Sequence, residues 1–476
     1  MRVKVQPTCI GKWQLPHSEQ EVDGTLLVDE EKKSIILRIV MSSKINNSMP
    51  KAQSFSFTER ITGKLTDGHS ILLVGCRLLQ HYTHTALCSH VTMTISARYA
   101  FYGLNLESED LLLNGVDIDF GEIISWTNLC EYISEYDGEK ERFQWKSKDP
   151  VSATLSPNAI VTFTPTCSYS TSGRESLRYV LEQSVICNIK YHIAMSFKTV
   201  LDDIRKIQYL ISFGMGERVD VNSIEYYHAS HYDETLDRIR PGSVLLGIGL
   251  PEEREHTVPY EYFFTLSDIT QNDSISMWFA DYEKLEPVVD LYQSGLYNSS
   301  ITSVMMFLNL TQAIETYHSR FVADNLEEYT RIVEDLIARF TQTQDGAETD
   351  LIRESLLPTS AQGGHKHIVL KSRLGYVFLS PDIDYTFYTL DSNSLDFINK
   401  VVASRNYYTH YDEGKRHEAF SKSELPYVNG VLMTVLSYHL LNKLKVPKKR
   451  IAEQLNMKEQ RVGDLFNEWR QNPSAQ

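Results

Sequence analysis

Several features are scarce in this chain of 476 residues, and each absence narrows its class. No window of about twenty apolar residues occurs, which is the length that a membrane-spanning helix requires, so we expect no membrane partner. Met1 to Gln14 carry charges and no apolar run of the kind found in secretion signals, and we therefore expect a cytoplasmic protein. Basic residues are also fewer than acidic ones, with 47 Lys and Arg against 62 Asp and Glu, which argues against a general nucleic-acid coat.

Cysteine is rare as well. The chain has six, none lies beyond Cys187, and no two of them form the Cys-x-x-Cys spacing of a redox or zinc motif. Cys88 lies near His81, His84 and His90, but a second cluster of ligands is missing, so a strand with polar side chains is the better interpretation. We predict reduced thiols, no metal site and no cofactor.

Cations are concentrated near the C-terminus. Between Lys415 and Arg461, ten Lys and Arg stand against four Asp and Glu. Because phosphate affinity depends on local cations more than on the total charge, a polyanion can bind there while the remaining surface stays acidic. A solvated, lysine-rich helix face explains the same charges equally well. The segment 450–465 also resembles a helix-turn-helix, although a last pair of bundle helices explains it equally well.

The chain divides into a β-rich first part and a helical second part. Apolar, β-branched and aromatic runs separated by polar turns predict strands at 24–29, 34–40, 54–57, 71–74, 91–95, 159–163, 192–196 and 260–265, with one helix at 197–213. From about Gly295, apolar residues recur every three or four positions. This spacing predicts bundle helices at 304–321 and 329–340, a third that carries 395–402, and others at 428–444 and 448–470, with 346–380 as an irregular crossover. We therefore predict an α+β fold with a regulatory domain at 1–290, of one or two lobes, and a helical bundle at 296–476.

The clearest chemical signal is an arginine and a histidine five residues apart, Arg405 and His410, where the third bundle helix ends. A neutral imidazole can take a proton from a ribose 2′-hydroxyl, and a permanent guanidinium can hold the scissile phosphate. Asn406 can orient either group. Chance alone produces this spacing roughly 0.7 times in such a chain, so context must support it. An ideal helix separates the pair by about 140°, and a shared face therefore requires the helix to fray or kink near Tyr408.

Structural roles compete with catalysis at this pair. Arg405 can form an ion pair with Asp412 or Glu413, and His410 can simply cap the helix. These two alternatives explain the spacing without any chemistry.

Three further residues are candidates for RNA binding. Lys415 and Arg416 follow the pair directly and carry positive charge. Glu315 precedes His318 by three residues on the first bundle helix, so the two share a face and can approach the pair. An exposed polar pair on a core helix is the alternative for Glu315 and His318.

The order of these features resembles the HEPN ribonuclease superfamily. Its signature is Arg, a polar residue, three variable residues and His, which Arg405-Asn406-x-x-x-His410 matches, followed by Tyr411-Asp412 and a basic, apolar helix. The stretches Gly-Lys-Trp-Gln-Leu-Pro at 11–16 and Asp-Gly-Thr-Leu at 23–26 resemble the opening of the ApeA-type N-terminal domain. The helix at 197–213 with Gly214-Met215-Gly216 is similar to its later part. The resemblance covers nearly the whole chain.

This resemblance implies a metal-independent endoribonuclease that cleaves cellular RNA, such as tRNA, by 2′-hydroxyl attack during abortive infection by phage. It also implies a homodimer or larger homo-oligomer in which two motifs form one composite site, with the β-rich domain responding to a phage-derived trigger. The alternative is a non-catalytic HEPN scaffold or ligand-binding sensor in a defence or toxin–antitoxin system. Removal of the His410 imidazole separates the two interpretations.

Overall fold

A computed structural model describes residues 7–16, 20–42, 60–84, 90–104, 110–136, 138, 141–172, 178–249, 261–298, 300–323, 325–341, 353, 356–357, 359–360, 366–378 and 394–471. The chain forms two compact units, Met1–Gln208 with Val219–His256, and Tyr209–Arg218 with Thr257–Gln476. The second unit thus includes residues that precede the predicted boundary at 290–296. The predicted domain division stays a prediction.

The first unit is built on one antiparallel sheet, which has fourteen strands among the described residues. Their order in the sheet is β12-β13-β14-β9-β15-β16-β8-β5-β4-β1-β2-β3-β7-β6, while β10 and β11 form a separate hairpin. The strands are β1 Thr8–Gln14, β2 Glu21–Asp29, β3 Ser34–Ser42, β4 Ile61–Leu65, β5 Ser70–Val74, β6 Arg77–His84, β7 His90–Ser96, β8 Tyr99–Tyr102, β9 Leu112–Asp119, β10 Cys130–Tyr136, β11 Glu141–Ser147, β12 Val151–Ser156, β13 Ala159–Ser172, β14 Arg178–Ser196, β15 Ser223–Asp233 and β16 Arg238–Leu246. Two helices follow strands of this sheet, α1 Ile124–Thr127 and α2 Phe197–Met215, and the residues of α2 from Tyr209 onward belong to the second unit.

Alternation of apolar and polar residues explains these strands, because successive side chains point to opposite faces. In β7, Val91, Met93 and Ile95 are buried while the residues between them are partly exposed. Trp13 of β1 is fully buried in the same core. A Cβ atom at Gly24 would lie 2.8 Å from the Trp13 indole, and one at Gly63 would lie 2.5 Å from it. The Gly-Lys-Trp and Asp-Gly stretches are therefore packing determinants of the β1–β2 pair.

Most predicted strands are confirmed. The pairs β2–β3 and β13–β14 and the helix α2 lie where the alternation and spacing indicated. The predicted strand at 54–57 lies outside the described residues. The predicted strand at 260–265 is wrong, because this segment leads into α3 (Leu266–Thr270) and Thr265 forms a capping box with Asp268.

Helical structure in the second unit begins earlier than the apolar spacing indicated. The expected start near Gly295 is wrong, since α3, α4 (Ser274–Ala280) and α5 (Tyr282–Tyr297) precede or include it. The later helices are α6 Ser303–Phe321, α7 Leu326–Thr341, α8 Leu370–Phe378, α9 Ser394–His410, a 3-10 turn Glu413–Glu418, α10 Leu425–Lys443 and α11 Lys448–Gln471. The predicted crossover contains α8 and the short pair β17 Thr359–Ser360 and β18 Lys366–His367.

Proline in α5 explains part of this error. Pro287 has no N–H and cannot bond to the carbonyl four residues earlier, which belongs to Glu283. Arg320 of α6 supplies the missing donor, since its Nη1 donates to the carbonyls of Glu283 at 2.9 Å and Lys284 at 3.1 Å. A neighbouring helix therefore stabilises an element that its own sequence disfavours.

Helix α10 is the centre of the second unit. Most of its residues are buried, and it packs against α6, α8 and α11. Asn429 donates to the Ser303 carbonyl and Tyr317 donates to the His439 carbonyl, so α6 and α10 run parallel. Helix α9 packs on α6 and α8. Tyr408 near the end of α9 contacts Phe307 near the start of α6, so these two helices run antiparallel. The predicted α+β class, a β-rich region followed by a helical bundle, is confirmed. None of the described helices has the length and apolar character needed to cross a membrane.

Candidate active site

The predicted pair lies in the last two turns of α9. The buried face of this helix comprises Phe397, Ile398, Val401, Ser404 and Tyr408, at helical spacing. Arg405 lies at the edge of this face and is half-buried, whereas His410 is exposed at the helix end. A cation there is favourable for the helix dipole.

The helix does not kink within the pair. It continues to His410, and the N–H of Tyr411 still donates to the Tyr407 carbonyl at 2.5 Å. The separation of about 140° expected for an ideal helix therefore applies. Asn406 lies between the two side chains, because it precedes His410 by one turn and shares its face. Nη1 of Arg405 lies 3.4 Å from Oδ1 of Asn406, so the guanidinium turns toward the face of His410.

Within the described part of the chain, Arg405 has no carboxylate partner. Glu413 instead pairs with Arg416 at 3.6 Å, and the Asp412 carboxylate accepts the N–H of Gly414 at 3.1 Å. The ion pairs that would explain Arg405 as a structural residue are therefore not formed by these two acids. Its half-buried cation remains available to an external anion.

The segment after the motif is fixed by two side chains of α9. The backbone N–H of Phe420 donates to Oγ of Ser404 at 2.7 Å, and its carbonyl accepts the Tyr408 hydroxyl at 2.7 Å. Ser404 also donates to the Lys400 carbonyl at 2.7 Å and is fully buried. We call this arrangement of Ser404, Tyr408 and Phe420 the loop clamp. It anchors the residues that follow His410 to the helix carrying the motif.

An ion pair supports the same loop. Nζ of Lys400 lies 3.0 Å from Glu424 and 4.4 Å from the centre of the Phe420 ring. Burial alone would raise the pKa of Glu424, but the Ser421 N–H and the Lys400 ammonium outweigh it and lower the pKa below its ordinary value. Glu424 is therefore charged at neutral pH and its charge is compensated.

The other predicted residues lie in two places. Lys415 and Arg416 lie in the exposed 3-10 turn directly after His410. Glu315 is half-buried on α6, two turns beyond Phe307, whose ring contacts Tyr408 at 6.2 Å. None of the described contacts joins Glu315 to Arg405 or His410, and its role stays a prediction.

His318 lies in the core rather than on an exposed face. Its ring contacts Tyr329 and Tyr376, and it is fully buried. Burial, with the neighbouring Arg373 and His439, lowers the pKa of His318 to about 3. The imidazole is therefore neutral at physiological pH.

Three tyrosines beside the motif were not recognised from the sequence. The ring centroid of Tyr407 lies 5.0 Å from that of Tyr408 and 5.7 Å from that of Tyr411. Tyr411 has a positive φ of 52°, a conformation that costs an L residue about 1 kcal/mol and that glycine or asparagine usually adopts after a helix. The tyrosines, with Arg416, Phe420 and Lys422, line an open pocket of about 640 Å³. The run Tyr-Tyr-x-x-Tyr was the available signal.

Comparison with known families gives two matches. Residues 8–278 match the family model of ApeA N-terminal domain 1, and residues 308–450 match that of the Apea-like HEPN domain. The chain belongs to the ApeA-like HEPN proteins. The second match includes Arg405, Asn406 and His410, and the first includes the Trp13 core. Comparisons with curated proteins and with solved structures found no match.

Membership identifies a HEPN-family defence protein. HEPN domains are generally nuclease-like, often act on nucleic acids and are often dimeric. In this ApeA-like chain Arg405, Asn406 and His410 lie at the end of α9, and the loop clamp holds the segment that follows them. The arrangement offers a cation, an amide and an imidazole on adjacent parts of one helix end.

Proposed function

We propose that this protein is a metal-independent endoribonuclease that cleaves cellular RNA in abortive-infection defence against phage. The observation that carries the proposal is the half-buried Arg405 guanidinium, which lacks a carboxylate partner among the described residues and turns to Asn406, on the face of the exposed His410. A half-buried cation without an anion favours phosphate binding, because desolvation makes its charge costly until an anion neutralises it.

The proposed chemistry requires only an imidazole and a guanidinium. Neutral His410 takes the proton from a ribose 2′-hydroxyl, and the 2′-oxygen attacks the adjacent phosphorus. The bond from phosphorus to the 5′-oxygen breaks, and the 5′-oxygen takes up a proton from water. The products are a 2′,3′-cyclic phosphate and a 5′-hydroxyl. Arg405 stabilises the additional charge on the phosphoryl oxygens, and Asn406 positions the guanidinium.

We also propose that two copies form the complete site. The backbone positions of Arg405 and His410 lie about 140° apart around α9. The guanidinium turns to Asn406, but none of the described contacts joins it to His410, so we propose that a second copy brings the two groups together on one phosphate. If one copy supplies the guanidinium and the other the imidazole, the composite site contains two Arg–His pairs. About half of the dimers in an equal mixture of Arg405→Ala and His410→Ala chains are mixed, and each keeps one of its two pairs, so the mixture should recover about a quarter of wild-type activity. A site contained within one chain would give no recovery.

The direct test is cleavage of total cellular RNA by purified protein in EDTA. His410→Ala and Arg405→Ala should each lower the rate at least about 100-fold, the usual cost of removing a general base or a charge-stabilising group. His417→Ala is the matched control, because His417 is exposed seven residues later and contacts only Glu418, at 3.7 Å, among the described residues. Cleavage that persists in both variants, or that requires a metal, would contradict the assignment.

We further propose that the first unit senses a phage-derived trigger and that tRNA is one RNA target. If the purified protein is inactive, the same variants are compared during phage infection of cells that express them. Loss of host-cell death in His410→Ala, with His417→Ala unchanged and both proteins equally abundant, supports the triggered nuclease. Protection from phage that does not depend on His410 favours the non-catalytic scaffold or sensor. The observation that supports this alternative is the separation of Arg405 and His410 around α9.

A further inference from the structure

An aromatic pocket with basic and acidic side chains lies at the C-terminal end of α9, the helix that carries Arg405 and His410. Its lining includes Tyr407, Tyr411, Arg416, Phe420, Lys422 and Glu424, and its volume is about 640 Å³. This lies in the range of pockets that bind small organic groups. Its tyrosines flank His410 along the chain, with Tyr407 and Tyr408 before it and Tyr411 after it, so an occupant would lie near the end of α9 that carries the motif.

Tyr411 presents the accessible ring of this pocket. It is 57% exposed, whereas Tyr407 and Tyr408 are 9% and 4% exposed. Its backbone has a positive φ, although the chain could end the helix there with glycine at lower cost. A bulky residue kept in an unfavourable conformation next to a functional site points to a use of its side chain.

The charges around the pocket favour a polyanion. Its acidic neighbours are engaged within the protein, since Glu424 binds Lys400 and the Ser421 N–H. Glu413 pairs with Arg416 at 3.6 Å, but both side chains are about three-quarters exposed, so a phosphate can replace the carboxylate at little cost. Within the described residues, Lys422 has neither an ion pair nor a hydrogen bond from its ammonium.

We propose that this pocket binds an unpaired nucleobase of the RNA substrate, stacked on Tyr411, with Arg416 and Lys422 contacting the flanking phosphates. The proposal rests on the ribonuclease function proposed above and narrows its substrate to single-stranded or looped RNA. Bases within a duplex are already stacked and cannot reach a side-chain ring, whereas splayed bases of loops stack on tyrosine. The stack would hold the ribose beside His410.

The test measures binding separately from cleavage. The probe is a short, fluorescein-labelled, mixed-sequence single-stranded RNA with every ribose 2′-O-methylated, which cannot be cleaved through the 2′-oxygen. Fluorescence anisotropy gives Kd for the full-length wild type, Tyr411→Ala, Tyr411→Phe and Tyr82→Ala. Tyr82 is a matched control because it is 55% exposed and lies in β6 of the other unit. Circular dichroism and gel filtration verify that each variant folds and assembles as the wild type does.

Tyr411→Ala should weaken binding about 5- to 100-fold, the range expected for loss of one base–aromatic stack, whereas Tyr411→Phe and Tyr82→Ala should stay within about twofold of wild type. An oligonucleotide with abasic sites should bind the wild type more weakly than the intact strand does, by a similar factor. Tyr411→Ala should bind the abasic and intact strands with equal affinity. This comparison is independent of how well the variant folds.

Equal binding by Tyr411→Ala and wild type overturns the inference. So does equal binding of the abasic and intact strands, tighter binding of duplex RNA, absence of RNA binding by the wild type, or displacement of the probe by a free nucleoside monophosphate at equal concentration. Failure of the proposed function gives a different result, in which the probe binds through Tyr411 but unmethylated RNA is not cleaved. The two failures are therefore distinguishable.

Discussion

The loop clamp makes a quantitative prediction about Ser404. Its hydroxyl donates to the Lys400 carbonyl and accepts the Phe420 N–H, each at 2.7 Å, and the residue is fully buried. In Ser404→Ala the Lys400 carbonyl keeps its helical hydrogen bond, but the buried Phe420 N–H loses its partner. A buried donor left without a partner costs about 1–3 kcal/mol. Alanine has a higher helix propensity than serine, which offsets about 0.5 kcal/mol of this cost. We therefore expect the substitution to destabilise the loop by about 1–2 kcal/mol.

Thr434→Val is the matched control. Oγ1 of Thr434 is also buried and donates to a carbonyl four residues earlier, that of Gly430 at 2.8 Å. Valine removes this hydroxyl without changing the shape of the side chain. Because no other described group depends on that hydroxyl, we expect a change below about 0.5 kcal/mol.

Amide hydrogen exchange at Phe420 measures the predicted loss locally, which avoids the assumption of two-state unfolding for a chain with two units. A loss of about 1–2 kcal/mol accelerates exchange of this amide by about 5- to 30-fold. The RNA cleavage rate should fall with it, because the segment after His410 is released. Equal exchange at Phe420 in Ser404→Ala and Thr434→Val would refute the reasoning, since the Ser404 hydroxyl would then not hold the loop.

Three further predictions concern single residues of the second unit. The lowered pKa of Glu424 stabilises the folded state above the ordinary pKa of 4.5, and this stability is lost as pH falls through the lower pKa of the folded state. Glu424→Gln should therefore weaken the dependence of the free energy of unfolding on pH in the acid range. At neutral pH it should lower the free energy of unfolding, measured with urea, by up to about 1 kcal/mol. Arg320→Met should destabilise the protein by about 0.5–1 kcal/mol in the same assay, because the Glu283 carbonyl freed by Pro287 loses its donor at an exposed site; an unchanged value would exclude that role. Lys422→Ala should reduce the slope of log K against log salt by about 0.7 for single-stranded RNA, and an unchanged slope would remove Lys422 from the phosphate contacts.

Helices with one clear apolar face were predictable. In α6 and α7 the buried residues recur every three or four positions, and the bounds differ from the predicted ones by only a few residues. The early helices α3 to α5 were not predicted, because they are short or contain Pro287. Their stability depends on donors from other helices, such as Arg320, which local periodicity does not contain.

The residue types of the candidate site were evident from the sequence, but their arrangement was not. The spacing of Arg405 and His410 identified the residue types, and the family comparison supports the domain in which they lie. The sequence left the course of the helix at Tyr408 open, and only the structure shows that it continues without a kink to His410. The absence of an ion pair between Arg405 and Glu413 among the described residues depends on side-chain packing that spacing does not encode.

The sequence by itself determined the β-rich and helical parts, the family, and the residues able to move a proton and bind a phosphate. These properties depend on residue type and local periodicity, which can be counted along the chain. Only the tertiary structure decided which groups meet: the Phe420 backbone with Ser404 and Tyr408, Arg320 with the Glu283 carbonyl freed by Pro287, and Tyr411 with its pocket. Such contacts join residues distant along the chain or depend on one backbone angle, and a buried group selects its partner by geometry rather than by its place in the sequence.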